Sequence, residues 1–291
     1  MVTISPPTSN KVTLSGLTIR NGGNETGGSG IFNQGTLSVL NSIISGNSAP
    51  TGPTSGGGVL STGWLMINKS TISGNTASVG GGVACTSGIA FINNSTISSN
   101  LAETEGGGVG AGCRITINNS TISRNAAANR FITTNGGGIY HFGGSANLVI
   151  NNSTISGNTA TFGGGIYIPS GSSGLTLQNT IVAKNPSGGD CGGGGTITSN
   201  GYNLSSDGTC NFNGTGDLNN VDPILGPLEN NGGPTLTMAL LPGSPAIDSG
   251  NPNGCTDGQG HLLCHDQRGS RRPDGEDTGG CDRGAYERQS D

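Results

Sequence analysis

The chain has 291 residues and an unusual composition, with 57 glycines, 10% charged residues and 4% aromatic residues. Its net charge of −5 is uneven, because residues 1–185 hold three acidic and seven basic residues while residues 186–291 hold fourteen acidic and five basic residues. No basic patch is dense enough to hold nucleic acid by its phosphates, and no apolar run reaches the about 18 residues of a membrane span. Aliphatic residues recur at fixed spacing, which excludes disorder and indicates a repeat.

A repeat runs through residues 12–185. Each copy contains an apolar segment, Asn-Ser, a Thr-Ile-Ser-Gly-Asn unit or a close variant, and a run of glycines. The central isoleucine recurs at Ile19, Ile44, Ile72, Ile97, Ile122, Ile155 and Ile181. Within a copy, three short segments alternate apolar and polar residues, which is the period of a β-strand, and no helical period separates them.

Strands this short bury an apolar face only if successive copies stack, at about 4.8 Å per coil. The sequence therefore predicts an all-β fold, a right-handed single-stranded parallel β-helix (a solenoid) of about seven coils of roughly 25 residues, with three short strands per coil. We assign residues 1–185 to the repeat body. Residues 186–291 are predicted to form final irregular coils and a disulfide-bearing C-terminal cap of the same continuous domain.

An asparagine closes each Thr-Ile-Ser-Gly-Asn unit. Asparagine tolerates the left-handed conformation of a sharp corner, and its amide can hydrogen-bond to the same amide one coil away. The repeat therefore predicts a structural ladder formed by Asn47, Asn75, Asn100, Asn125, Asn158 and Asn185. Insertions at the corner after this asparagine predict two protruding loops, 48–55 and 126–135, of the kind that often carries binding.

Candidate chemistry is sparse in the body. Glu103 and Glu105 lie together at a corner, where a glutamate pair is usually solvated, so no catalytic residue is predicted. Tyr140 and Tyr167 occupy the same place in successive copies and predict side-by-side outward rings, either as a cross-strand pair or as a contact for a glycan. The Thr and Ser residues that flank the central isoleucines predict a solvated sheet face, with ice binding as the alternative.

Acidic residues are concentrated near the C-terminus. Asp274, Glu276 and Asp277 are hard oxygen ligands and form a candidate Ca²⁺ site, although their spacing matches no defined calcium-binding loop. The sequence predicts no cofactor.

The last 75 residues carry an ordered string of motifs: Asp222-Pro-Ile-Leu-Gly-Pro-Leu228, Asn231-Gly-Gly-Pro-Thr-Leu236, Gly243-Ser-Pro-Ala-Ile-Asp248, Asp266-Gln-Arg-Gly269 and Cys281-Asp-Arg-Gly-Ala-Tyr-Glu287. This string resembles the choice-of-anchor Q proteins, and the repeats are also similar to those of the polymorphic outer-membrane proteins. The resemblance covers essentially the whole chain and implies an exported bacterial β-helical surface protein of undefined molecular role. Neither a signal peptide nor a surface anchor is recognisable in these 291 residues.

Seven cysteines suit an oxidising compartment. Cys191 and Cys210 bracket a glycine-rich loop and form the first predicted disulfide. Cys85 and Cys113 lie on adjacent coils and form a second candidate pair, offset by about a strand.

For the remaining cysteines the family resemblance implies a bond between Cys264 and Cys281. This pairing leaves Cys255 without a partner. A zinc site that uses His261, Cys264 and His265 is the alternative for this region.

The sequence thus predicts a non-enzymatic structural or adhesive protein that is extracellular or at a bacterial cell surface. Residues 1–11 offer no amphipathic lid for the first coil, so either an upstream segment or another copy of the chain is expected to cover it. The second case predicts head-to-tail stacking of copies into filaments. The predicted partner is another copy of the chain or a surface glycan, without nucleic acid or membrane insertion. The alternative is a carbohydrate-binding or polysaccharide-processing β-helix that uses Tyr140, Tyr167 and the loop 126–135.

Overall fold

The computed structural model describes residues 1–5, 11–23, 29–49, 56–144, 147–273 and 280–289. In this part of the chain every regular element is a β-strand. The same residues include no helix with the length and apolar character needed to cross a membrane.

The strands wind into successive coils, and four coils hold a short fourth strand. The first four coils contain β1 (Val2–Ile4), β2 (Val12–Ser15) and β3 (Thr18–Arg20); β4 (Ile31–Asn33), β5 (Thr36–Leu40), β6 (Ile43–Ser45) and β7 (Ser48–Ala49); β8 (Val59–Ser61), β9 (Trp64–Asn68), β10 (Thr71–Ser73) and β11 (Thr76–Val79); and β12 (Val83–Cys85), β13 (Ile89–Asn93), β14 (Thr96–Ser98) and β15 (Leu101–Glu105).

Four further coils follow. They contain β16 (Val109–Ala111), β17 (Arg114–Asn118), β18 (Thr121–Ser123) and β19 (Ala126–Ala127); β20 (Ile139–His141), β21 (Leu148–Asn151) and β22 (Thr154–Ser156); β23 (Ile166–Ile168), β24 (Leu175–Gln178) and β25 (Ile181–Ala183); and β26 (Cys191–Gly193), β27 (Ile197–Ser199) and β28 (Leu204–Ser205). The last strands are β29 (Leu218–Asn219), β30 (Leu225–Glu229) and β31 (Thr237–Leu240).

Equivalent strands of successive coils pair in parallel and form the walls of a solenoid. The first sheet runs β1-β4-β8-β12-β16-β20-β23-β26, the second β2-β5-β9-β13-β17-β21-β24-β27, and the third β3-β6-β10-β14-β18-β22-β25-β28-β29. A fourth, smaller sheet joins β7, β11, β15 and β19. The predicted parallel β-helix with three strands per coil is confirmed, and one further coil, β26 to β28, follows the seven predicted from the repeat.

In-register pairing places one aliphatic side chain per coil in a buried column inside the third sheet. Ile72 pairs with Ile97 and Ile97 with Ile122, and all three are fully buried. The sequence repeat assigned Ile181 as the seventh residue of this column, and this was wrong. Val182 takes that place, paired with Ile155. Both Asn152 and Asn179 adopt the left-handed conformation, and the core residue comes three positions after each, so the corner fixes the register.

The C-terminal residues lie mainly along the side of the solenoid. We call residues 223–273 and 280–289 the C-terminal cover. Its backbone and side chains hydrogen-bond to the outer face of the third sheet, where Thr96 Oγ1 donates to the Leu236 carbonyl (2.6 Å) and Thr154 Oγ1 accepts from the Ala285 N–H (3.1 Å). At the end of the solenoid, Phe212 and the Cys191–Cys210 disulfide join the main hydrophobic core.

The cover overturns the prediction of a solvated threonine and serine face. Thr96, Thr121 and Thr154 are at most 2% exposed, because the cover lies on them. Two coils nearer the N-terminus, Ile43 of the same sheet is 46% exposed. The sequence did not show where the irregular C-terminal segment would lie, because its contacts are more than 100 residues distant along the chain.

Three disulfides cross-link the molecule. Two have the predicted partners, Cys85–Cys113 and Cys191–Cys210. The third joins Cys255 to Cys281, so the implied Cys264–Cys281 bond is wrong and Cys264 is a free, exposed cysteine. Cys255 and Cys281 are both buried where the cover meets Asn179 of the β-helix, at 2% and 0% exposure, whereas Cys264 is exposed.

Candidate functional site

The most regular polar feature of the molecule is the asparagine ladder. Each side-chain amide donates one hydrogen to the Oδ1 atom of the next coil's asparagine, as from Asn75 to Asn100 (3.0 Å) and from Asn100 to Asn125 (2.9 Å). The second hydrogen goes to a carbonyl of the preceding coil, as from Asn100 to Ile72 (3.0 Å). The complete ladder contains Asn47, Asn75, Asn100, Asn125, Asn158 and Asn185.

Each ladder oxygen also accepts a backbone N–H, as Asn100 Oδ1 does from Asn75 (3.0 Å). Every amide thus uses both hydrogens and its oxygen while buried from water, so no desolvated polar group is left unpaired. The ladder is a continuous, directional chain of hydrogen bonds through the solenoid wall.

A carboxylate ends this chain of donors. Asn185 Nδ2 donates to Asp190 Oδ1 (2.9 Å), while Asp190 Oδ2 accepts from Ser205 Oγ (3.1 Å) and the Ser206 N–H (2.7 Å). Burial raises the pKa of Asp190 even though these donors favour its ionised form. Our sequence reasoning missed Asp190, although a single acid five residues after the last ladder asparagine was a visible signal.

A second ladder, of serines, lies at the corner before the third sheet. The Ser70 N–H donates to Ser95 Oγ (3.1 Å), and the Ser95 N–H donates to Ser120 Oγ (3.2 Å). Sequence reasoning noted the recurring Asn-Ser pair but did not assign this role to the serine. Its fixed place two residues before the central isoleucine was the signal for it.

The two predicted tyrosines lie side by side on the outside of the first sheet. Tyr140 and Tyr167 stack with ring centroids 5.9 Å apart, and Phe142 stacks on Tyr140 at 5.6 Å. The Tyr140 hydroxyl hydrogen-bonds to the Glu105 carboxylate, and burial together with this charge raises the pKa of Tyr140. Since the rings turn their faces toward one another, this geometry is that of a cross-strand aromatic cluster.

The loop inserted after Asn125 carries the most exposed aromatic side chain among the described residues. Phe131 is 93% exposed and Ile132 is 53% exposed. Beside the loop runs an open groove of about 430 Å³ lined by Ala127, Ala128, Asn129, Thr134, Thr159, Ala160, Thr161 and Ser187. No charged residue lines this groove. The other predicted loop, 48–55, lies outside the described residues from residue 50 onward.

The comparisons place the chain in a family. A family model described as "Right handed beta helix region" matches residues 3–182. The chain belongs to this family. No curated protein and no solved structure matches the chain. The finer resemblance to the choice-of-anchor Q proteins stays a prediction.

In this right-handed β-helix, the cover holds the densest cluster of buried charge. Arg272 Nε lies 3.2 Å from Glu287 Oε2, and both side chains are fully buried. Burial raises the pKa of Asp282 to about 6, although the N–H groups of Asp248 and Arg288 donate to its carboxylate. Asp248, Asp282 and Glu287 lie in the motifs that carried the family resemblance, and here they fasten the cover together with Arg272.

Gln267 connects the cover to the β-helix directly. Its Oε1 accepts from Thr121 Oγ1 (2.7 Å), and its Nε2 donates to Thr96 Oγ1 (2.9 Å) and Thr235 Oγ1 (2.9 Å). Sequence reasoning noted the motif that contains Gln267 but not this contact, because Thr121 and Thr96 precede Gln267 by 146 and 171 residues.

The predicted Ca²⁺ ligands Asp274, Glu276 and Asp277 lie outside the described residues. Within the residues that the structure describes, no group of three His, Cys, Asp or Glu side chains could hold a metal ion. Of the residues in the zinc alternative (His261, Cys264 and His265), His261 is paired with Asp257, with Nδ1 and Oδ2 2.9 Å apart.

Proposed function

We propose that this right-handed β-helix is a non-enzymatic structural or adhesive rod that works outside the cell, at a bacterial surface or beyond it. The observation that carries the proposal is the unbroken asparagine ladder. Its six asparagines, together with the Gly22 N–H that donates to Asn47, link seven successive coils, and the ladder ends on Asp190. Buried hydrogen bonds of this kind favour a stiff wall that resists local unfolding. Three disulfides are consistent with an oxidising environment.

The arrangement of the acidic residues supports a non-enzymatic role. Glu103 is exposed at its corner, and Glu105 hydrogen-bonds to Tyr140. In the cover, Asp266 binds the Arg268 side chain (2.8 Å) and backbone N–H groups. The contacts of Glu105 and Asp266 hold these two carboxylates against other groups of the protein. Acid–base catalysis needs carboxylates directed at a substrate.

Head-to-tail assembly is part of the proposal. Strands β1, β2 and β3 pair only with the second coil in the described residues, so each presents an edge that another strand can join. A contact between unlike ends does not close on itself and builds a filament.

Electron microscopy of the purified protein tests this assembly. Eight coils at about 4.8 Å predict an axial repeat of roughly 40 Å. Filaments with that repeat would support stacking, and single particles at every protein concentration would contradict it. A structural role without stacking would then be tested by protease resistance, which the rod should retain.

A second candidate function is carbohydrate recognition, favoured by Phe131. An aromatic ring with both faces in water, beside an uncharged groove rich in hydroxyl groups, suits a neutral sugar. The test is binding to a glycan array by the wild type, by Phe131→Ala, and by Leu262→Ala as a matched control at an exposed apolar residue of the cover. Binding lost only in Phe131→Ala would support this function, and release of sugar products would point to polysaccharide processing.

A further inference from the structure

A buried guanidinium group contacts one of the three disulfides. Arg272 Nη1 lies 3.2 Å from the Cys255 sulfur, and Asn179 Nδ2 lies 3.3 Å from that sulfur and 3.5 Å from the sulfur of Cys281. A positive charge and an amide hydrogen directed at sulfur stabilise negative charge on it. Such charge develops while another thiolate attacks the disulfide, on the attacking and the leaving sulfur, which flank the attacked one.

The free cysteine lies beside the same disulfide. Cys255 and Cys264 line one cavity of about 290 Å³, together with Gly254, Leu262, Leu263, Arg271, Arg272 and Pro273. Cys264 is free and exposed, whereas Cys255 is 2% exposed.

The backbone brings the two cysteines close. Residues 255–263 form a tight antiparallel turn in which Thr256 pairs with Leu262 and the Leu263 N–H donates to the Cys255 carbonyl (2.8 Å). Across such a pair the Cα atoms of Cys255 and Leu263 are about 5.5 Å apart, and the Cα of Cys264 follows at about 3.8 Å along the chain. The Cα atoms of Cys255 and Cys264 therefore lie within about 9 Å of each other. A disulfide needs a Cα–Cα distance of about 7 Å or less, so the exchange requires the turn to bring these two Cα atoms about 2 Å closer.

We infer that Cys264 and the Cys255–Cys281 disulfide form an internal exchange switch for the C-terminal cover. The Cys264 thiolate attacks the Cys255 sulfur, the Cys255–Cys264 bond forms, and the Cys255–Cys281 bond breaks. The bonding electron pair leaves on the Cys281 sulfur, which takes from solvent the proton that Cys264 released. The exchange needs neither an oxidant nor a reductant.

Exchange would release the last described segment of the chain. The Cys255–Cys281 bond joins residues 26 apart and holds the segment 280–289 against the β-helix. That segment supplies Arg283 Nη1 to the Asn203 carbonyl (2.9 Å) and the Gly284 N–H to the Asn179 carbonyl (2.7 Å). After exchange the segment is held only by non-covalent contacts, which include these two and the Ala285 N–H to Thr154 Oγ1.

The test is disulfide mapping by mass spectrometry on the folded wild-type protein. The protein is kept at pH 5 or at pH 8.5 without any redox reagent, and free thiols are then alkylated. At pH 5 we expect the label on Cys264. At pH 8.5, where thiolate attack is faster, the label should move to Cys281 and a Cys255–Cys264 peptide should appear. The Cys85–Cys113 and Cys191–Cys210 peptides, which lack a guanidinium contact in the structure, serve as internal references.

Cys264→Ser is the matched control, since it changes one exposed atom and removes the nucleophile. In this variant the Cys255–Cys281 peptide should persist unchanged at pH 8.5. The inference is overturned if the wild type keeps its label on Cys264 at both pH values. It is also overturned by a Cys264–Cys264 dimer, or by a Cys264–Cys281 bond, which would make Cys281 the attacked sulfur.

Discussion

At the scale of single residues, the corners of the β-helix are defined by which residue takes the left-handed conformation. The ladder asparagines were expected to take it, but the residue just before each of them does so. In successive coils these are Gly46, Gly74, Ser99, Arg124, Gly157 and Lys184. The ladder asparagine is thereby free to direct its amide along the rod, and the strained position is separate from the hydrogen-bonding one.

Replacement of Asn100 by alanine should be strongly destabilising. It removes the acceptor for Asn75 and the donor to Ile72 and Asn125 while these groups stay buried, which should lower the free energy of unfolding by about 2–4 kcal/mol. Chemical denaturation measures the change, with Asn213→Ala at an exposed site as the control. Equal effects of the two substitutions would show that the ladder adds little.

Ser99→Gly should be stabilising. Ser99 is exposed with a φ of 56°, so glycine relieves a left-handed conformation that costs about 1–2 kcal/mol, less the entropy that glycine adds to the unfolded chain. We expect the free energy of unfolding to rise by about 0.5–1 kcal/mol. The reverse change, Gly74→Ser, has open space around its new Cβ and should cost a similar amount. Thermal unfolding of both variants checks the opposite signs.

At the scale of elements, the cover decides the character of the third sheet. Strands β14, β18 and β22 present threonines that the pattern assigns to solvent, yet the cover buries them and bonds to their hydroxyl groups. Ile181, turned outward by the register of the seventh coil, packs in a small second core with Leu240 and Ala246. An apolar side chain at this outward position makes sense only because the cover packs on it.

Docking of the cover should depend on pH through Asp282. Its pKa of about 6 in the folded state lies above the ordinary value of 3.8, so its contribution to stability is fully present below about pH 4 and is lost as pH rises through 6. The difference between these two pKa values corresponds to a contribution of at most about 3 kcal/mol to the free energy of unfolding.

Unfolding of wild type and Asp282→Asn between pH 4 and 8 measures this contribution. The variant loses a backbone acceptor and should be less stable at low pH, but the difference should shrink toward pH 8. The exposed Asp222→Asn variant controls for general charge effects. A constant difference between wild type and Asp282→Asn would refute the assignment.

At the scale of the whole molecule, the rod is a stack of coils in which each contacts its neighbours, so covalent links between coils contribute strongly to its stability. Cys85 of the fourth coil bonds to Cys113, just after the first strand of the fifth. The Cys191–Cys210 bond ties the eighth coil to the segment beside the core at the end of the rod.

Removal of the central link should weaken the rod. Because 28 residues separate the two cysteines, the chain-entropy model predicts a lower free energy of unfolding for the double variant Cys85→Ala with Cys113→Ala, by about 3–4 kcal/mol. Denaturant unfolding under non-reducing conditions measures it. The wild type with added reductant loses all three disulfides and should be less stable than the variant. Identical stability of the wild type and the variant without reductant would contradict the prediction.

The sequence by itself determined the β-helix and the ladder positions, because these follow from a local period that each coil repeats. It also paired two of the three disulfides, from cysteines that lie on adjacent coils or flank one loop. The tertiary structure alone decided the place of the cover, the Cys255–Cys281 bond and the burial of the threonine face. These depend on contacts between segments 70 to 170 residues apart that share no period, such as those of Gln267 with Thr96 and of Asn179 with Cys255. A local pattern fixes which side of a strand is polar, but it carries no information on which distant segment will cover that side.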